Sequence, residues 1–147
     1  AACGRGMSLA LASDIRILGE TAKLNAAYLT IGTTGCDMGA SYFLPRLVGL
    51  SLASELLLTG RFIHAEEAIQ HRLASRKVPD SELESAADDL IEAMLAASGF
   101  GLRMTKDALN FSIDAQSMEA AMGMEDRQQI LAVMSGELAE RRKKFLR

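Results

Sequence analysis

Residues 1–49, AACGRGMSLALASDIRILGETAKLNAAYLTIGTTGCDMGASYFLPRLVG, decide how the chain is read. A small-residue turn, Gly4-Arg5-Gly6, runs straight into a helical pattern at 6–13, where Met7, Leu9, Ala10 and Leu11 leave little polar face. The first turn of a helix has N–H groups without internal partners and carries partial positive charge. A small-residue turn lets a ligand oxygen come close to them. Two readings stand side by side. Gly4 and Gly6 make a tight turn and nothing more, or the turn receives a carbonyl oxygen that gains negative charge, which makes it an oxyanion hole.

Outward from this start, 14–18 (DIRIL) alternates charged and aliphatic side chains as a half-buried strand does, Gly19-Glu20 turns the chain, and 22–25 (AKLN) is a second short strand. Residues 26–36 are irregular, punctuated by Gly32 and Gly35. A helix is expected from about Met38 to Val48, capped by Gly49 and kinked or broken at Pro45. The carboxylate singled out in this region is Asp37, which also suits the cap of that helix.

The remainder reads as helical support. Residues 51–59 make an apolar helix with Ser51 as N-cap and Gly60 after its end. Residues 65–72 form a short helix with Glu66 and Glu67 in its first turn, and 74–78 a strand ended by Pro79. Over 81–97, Leu83, Ala86, Ala87, Leu90, Ile91, Met94 and Leu95 recur on one face, and Ser81 with Glu84 spells a capping box. Helices follow at about 102–112 and at 117–134, the latter capped by Ser117. A charged helix over 136–147 places Glu137 and Glu140 ahead of Arg141, Arg142, Lys143 and Lys144, the order its dipole favours.

Composition narrows the classes. The chain has 147 residues, enough for a real core, and its apolar set of Ala, Leu and Met favours helix over an all-β sandwich. A net charge of −3 argues against a nucleic-acid partner. No apolar run approaches membrane-spanning length, so no membrane partner is expected. Cys3 and Cys36 show neither metal spacing nor a disulfide framework, which fits free thiols and a cytoplasmic setting. His64 and His71 flank a short helix without ligand spacing, and no metal is expected. The chain opens on Ala inside a motif, and we expect a further N-terminal portion upstream.

Five pieces in order, ACGRGMSLALASDIRI, NAAYLTIGTTGCDMGASYFLPRLVG, ASELLLTGRFIHAEEAI, LASRKVP and MTKDALN, resemble the crotonase superfamily, the enoyl-CoA hydratase/isomerase family. The resemblance covers nearly the whole chain. It implies an α/β fold: the C-terminal part of a ββα spiral over 1–79, followed by a helical region over 80–147 that serves in trimerisation or as a lid. It implies a homo-oligomer (a trimer or dimer of trimers) and an acyl-CoA thioester as substrate. CoA then arrives with the substrate, with no separate cofactor, and the enolate is held by two backbone N–H groups. One of these falls on Arg5, where the family usually has Gly; the other belongs to an earlier strand and loop.

The resemblance also places site residues. The two glutamates with which hydratases handle water match Ser8 and Tyr28. Asp37 matches an acidic position on the following glycine-rich loop, where dienoyl-CoA isomerase-like members carry aspartate, and burial raising its pKa would make it the base. Gly4, Ser8, Tyr28 and Ile31 are expected along the substrate, with Tyr28 either a donor to it or a partly buried core residue and Ser8 a small helix residue rather than a nucleophile. Lys106 is expected on a solvated face, and the basic run 141–144 either meets CoA phosphates or complements its helix dipole. Arg72 also stands where the family usually has Gly; a left-handed backbone there would cost about 1 kcal/mol. The expected activity is proton transfer next to a thioester carbonyl. A non-catalytic oligomerising or decayed copy and a thioester hydrolase are the alternatives.

Overall fold

Gly4 ends a two-residue strand and opens the first helix, and this junction organises the N-terminal half. In the computed structural model, which describes residues 1–138, 141 and 142, strand β1 (Ala2–Cys3) leads through Gly4 into α1 (Arg5–Ala12). Strands β2 (Ile17–Gly19) and β3 (Lys23–Asn25) follow, then a 3-10 turn at Leu29–Ile31. Helices α2 (Ala40–Val48) and α3 (Leu50–Thr59), strand β4 (Ile63–His64), α4 (Ala65–Gln70) and β5 (Arg76–Val78) come next. A 3-10 turn at Asp80–Glu82 enters α5 (Leu83–Leu95), and α6 (Gly99–Ser112) and α7 (Met118–Met134) complete the described elements.

The strands make two small sheets. In one, β3 is central: β1 pairs with it in parallel, Ala2 opposite Leu24, and β4 pairs antiparallel, Leu24 opposite Ile63. In the other, β2 and β5 run parallel, Ile17 opposite Arg76 and Gly19 opposite Val78. The core lies against the first sheet. Met7 and Leu11, one turn apart on α1, meet Leu44 of α2, Ala53 and Leu56 of α3, Leu24 of β3 and Ile63 of β4, all at 2% exposure or less. Helix α1 is therefore buried on one face only, against expectation: Leu9, on the other side, is 63% exposed.

Several boundaries differ from the sequence reading for local reasons. Pro45 sits inside α2 without breaking it; the one carbonyl its missing N–H leaves unpaired is that of Ser41, an exposed residue. Gly49, at φ 81°, caps the end of α2 and the start of α3, so Ser51 lies inside α3 and caps nothing. Ser81 falls in the 3-10 turn, so the capping box with Glu84 does not form. Helix α6 starts earlier than expected because Ser98 Oγ accepts from Gly101 N at 2.9 Å. Ser117 caps α7 as expected, accepting from Ala120 N at 3.2 Å. Of the charged helix expected over 136–147, residues 139, 140 and 143–147 lie outside the described residues.

The chain divides into two compact units, Ala1–Asp88 and Asp89–Arg147. The 3-10 turn after Pro79 belongs with the first unit because Asp80 is tied to it. Its carboxylate accepts from Thr21 N (3.3 Å) and from the Thr21 hydroxyl (2.5 Å). It occupies the place a side chain at Gly19 would take, since a Cβ there would lie 2.1 Å from Asp80 Oδ1. In the second unit Gln128 is the one buried side chain of α6 and α7. Several apolar residues of these helices, Leu109 (63%), Ile130 (60%) and Met134 (77%) among them, stay open in the described structure.

Candidate active site

Gly4 carries the turn that the sequence singled out. At φ 53°, ψ −118° it adopts a backbone that side-chain-bearing residues rarely take, and a Cβ there would lie 3.7 Å from the Tyr28 ring. Its N–H donates to Asn25 O (3.0 Å), continuing the sheet, and its carbonyl accepts from Ser8 N (3.1 Å). That carbonyl is the first acceptor of α1, so the amides of Arg5, Gly6 and Met7 precede any helical partner. Arg5 and Gly6 are exposed, Met7 buried.

Ser8 and Tyr28 meet directly. Ser8 Oγ lies 3.0 Å from the Tyr28 hydroxyl and 3.2 Å from the main-chain oxygen of Asp37, and both side chains are buried, at 1% and 7% exposure. The protons can be assigned by elimination. A carbonyl oxygen only accepts, so the single Ser8 proton goes to Asp37 O, and Tyr28 then donates to Ser8 Oγ. The Tyr28 proton is thus engaged inside the fold, in keeping with the core alternative for this residue rather than with a donor to substrate. The Tyr28 carbonyl is also engaged: it accepts from Thr33 N (3.1 Å) and Thr33 Oγ1 (2.8 Å), which closes the loop through the Leu29–Ile31 turn.

The Asp37 carboxylate is exposed, not buried, and accepts from the N–H of Met38 at 2.8 Å. It does not cap α2, which starts at Ala40 behind Gly39; the Asp37 main-chain oxygen instead accepts from Ala40 N at 3.0 Å. Met38, at φ 48°, and Gly39, at φ 84°, place two left-handed residues directly after Asp37. Ala27, at φ 51°, stands just before Tyr28. Ile31 lies at the surface, 74% exposed. Ser8, Tyr28, Gly4 and the Asp37 main chain are therefore brought together, while Ile31 stands out in solvent.

The other candidates are scattered. His64 and His71 are exposed, and Cys3 and Cys36 are exposed free thiols. Among the described residues no group of three His, Cys, Asp or Glu side chains could hold a metal, and no helix is long and apolar enough to cross a membrane. Arg72 takes φ 61°, the left-handed backbone at which a non-glycine residue is strained.

Two arginines that the sequence reading passed over hold this half together. Arg16 Nε donates to Leu73 O (2.6 Å), and Nη1 to Ala10 O and Leu11 O (3.2 Å each) and to Ser13 O. It thereby caps the C-terminal end of α1 and ties it to the approach to β5. Burial pushes the Arg16 guanidinium down from its ordinary value, and Asp14 pulls it back up. In DIRIL the arginine falls on the expected solvent face of a strand, so its turn back onto the end of α1 and its bond to Leu73 were not legible there. Arg61 grips Glu67 with two hydrogen bonds (2.9 and 2.6 Å) and Glu55 with one (2.6 Å). Its hydrogen bonds and charge hold the Glu67 carboxyl below the usual carboxylate range.

The family model described as Enoyl-CoA hydratase/isomerase matches residues 1–144. The chain belongs to the enoyl-CoA hydratase/isomerase family. A protein of Mycobacterium tuberculosis named probable enoyl-CoA hydratase EchA12 is 44% identical over 124 residues, covering 84% of this chain and 44% of that protein. The 1,2-epoxyphenylacetyl-CoA isomerase of Escherichia coli is 32% identical over 145 residues, 99% of this chain and 55% of its own length. The chain thus spans about half the length of the curated relatives it matches.

Solved structures of the family agree with the fold. A probable enoyl-CoA hydratase/isomerase from Mycobacterium abscessus superposes with a TM-score of 0.88 at 35% identity, over 97% of this chain and 57% of that one. A Thermobifida fusca protein solved in complex with acetoacetyl-CoA superposes at 0.85 and 37% identity, over 91% of this chain and 52% of that one. The expected crotonase fold is therefore the fold of this chain, with its helical C-terminal region.

Proposed function

We propose that this chain carries the proton-transfer half of an acyl-CoA-processing site and that its reaction is isomerisation rather than hydration. The observation that carries the reading is the link from the head of α1 to the Asp37 loop, Ser8 Oγ to Asp37 O at 3.2 Å. It ties the loop that carries the Asp37 carboxylate to α1, whose first amides precede any helical partner. In the reaction, the Asp37 carboxylate takes a proton from carbon α or γ to the thioester. The C–H electrons move into the conjugated system, negative charge gathers on the thioester oxygen, and the Arg5 N–H donates to it. The proton then returns to the other carbon and the double bond has moved. Gly4 gives the thioester room.

Hydration needs a second group to activate and hold water. At the two positions where hydratases use glutamates stand Ser8 and Tyr28, whose protons are spent on each other and on a carbonyl. The same pairing speaks against a hydrolase nucleophile at Ser8, since no base accepts its proton. The matched Thermobifida fusca structure in complex with acetoacetyl-CoA supports a CoA thioester as ligand. No further cofactor is needed, because the proton shuttles between a carboxylate and carbon. The open apolar residues of α6 and α7 support association into a trimer, and exposed free thiols fit the cytoplasm. The second reading, a non-catalytic copy, is favoured by Arg5 and by the strained Arg72.

The test is Asp37→Asn in the natural full-length chain, assayed with 3-enoyl-CoA for isomerisation and 2-enoyl-CoA for hydration. We expect isomerisation to fall by roughly 100-fold or more, and hydration to be negligible before and after. An unchanged isomerisation rate removes Asp37 from the mechanism, and saturable acyl-CoA binding without turnover in the unmodified chain supports the non-catalytic copy.

A further inference from the structure

We infer that Ser8 is a positioning residue, whose hydroxyl locks the main chain of Asp37 against α1 and so aims the Asp37 carboxylate. The inference rests on the proposed role of Asp37 and goes beyond it by naming what holds that group in place. A serine within a helix ordinarily bonds back to the carbonyl one turn earlier. For Ser8 that carbonyl belongs to Gly4, and the N–H of Ser8 itself already donates to it at 3.1 Å. The side chain reaches instead across 29 residues of sequence to Asp37 O, from a site with 1% exposure. A hydroxyl that deeply buried holds its geometry, because breaking the bond would strand a polar group away from water.

The clamp reaches the carboxylate through one covalent step. The side chain of Asp37 is held on the N–H of Met38, the next residue, at 2.8 Å. Fixing the Asp37 main chain therefore fixes the carboxylate, though the carboxylate itself is exposed. The segment needs such a tether. Met38 is a non-glycine residue at φ 48°, followed by Gly39 at φ 84°, a backbone that persists only where its surroundings impose it. Tyr28 completes the arrangement by donating to Ser8 Oγ at 3.0 Å, which fixes the direction of the Ser8 proton toward Asp37. Ser8 and Tyr28, in place of the hydratase glutamates, then serve the one remaining carboxylate instead of a water molecule.

The test uses the natural full-length chain with Ser8→Ala, and Ser8→Cys as a variant of similar shape and weaker donor strength. Isomerisation of 3-enoyl-CoA is measured as kcat and KM separately, with amide hydrogen exchange at Met38–Ala40. Ser8→Ala should lower kcat by about 10- to 100-fold through misplacement of the base, with KM little changed. Exchange at Met38–Ala40 should accelerate while α3 amides keep their rates, and Ser8→Cys should fall between. In the Asp37→Asn background Ser8→Ala should lower the residual rate no further. An unchanged kcat in Ser8→Ala, or an equal loss with and without Asp37, overturns the inference. If Asp37→Asn alone leaves the rate unchanged, the proposed function fails, and exchange alone then decides the clamp: unaltered rates at Met38–Ala40 overturn it. If Ser8→Ala does not fold, Ser8→Cys carries the same comparisons.

Discussion

Replacing Arg16 by Met is the sharpest test of how the N-terminal unit is held together. The guanidinium donates from Nε to Leu73 O and from Nη1 to three carbonyls at the end of α1, those of Ala10, Leu11 and Ser13. Nη1 has two hydrogens, so three N–H groups in all are engaged. Hydrogen bonds from a charged donor contribute roughly 1.5–3 kcal/mol each, which sets an upper bound near 5–9 kcal/mol for three. The burial that pushes the guanidinium down from its ordinary value opposes this, because a cation partly removed from water loses hydration. Methionine restores the apolar stem and leaves the Ser13 carbonyl to water, whereas Leu11 and Leu73, at 2% and 1% exposure, keep theirs out of water. We therefore expect a loss of about 2–4 kcal/mol, within the range for breaking a partly buried network. Urea unfolding followed by circular dichroism reads it as a lower midpoint at unchanged slope. Arg16→Lys, with one point charge and no fork, should recover less than half. A loss under about 1 kcal/mol for Arg16→Met would refute the pinning role.

Two further outcomes follow from local geometry. Arg72→Gly should stabilise the protein by about 0.5–1 kcal/mol, since relief of a left-handed arginine outweighs the added freedom of glycine when unfolded, and no rise in the urea midpoint would contradict the strain. Glu67, held by Arg61 below its ordinary value of 4.5, contributes stability that is present above that pH and lost as pH falls through the lowered folded value. Glu67→Gln should therefore unfold more easily than the unmodified chain at neutral pH and converge with it in acid; a gap that stays constant from pH 7 down to about 3 would sink that assignment.

What the sequence could show depended on range. Leu83 to Leu95 announced a helix because its apolar period is local, and Ser117 announced a cap because its partner lies three residues away at Ala120. The strands β1 and β4 were illegible at two residues each, too short for any period, and exist only because β3 lies between them. Ser81 and Glu84 had the spelling of a capping box but lost it when Asp80 was drawn to Thr21, 59 residues earlier. The site divides in the same way. Gly4 and Asp37 could be picked out from their neighbours. Ser8 looked like a small helix residue, because its partners sit 20 and 29 residues further along.

The amino-acid sequence by itself determined the family, the helices with strong periods and the identity of the side chains that could do chemistry, since each depends on residues close in the chain. The tertiary structure alone decided where protons point and which groups are buried. It set the Tyr28 hydroxyl onto Ser8, left the Asp37 carboxylate exposed and tied Arg16 to the Leu73 carbonyl. The physical reason is that a hydrogen bond needs its two atoms within about 3 Å, and only folding brings residues dozens of positions apart to that distance.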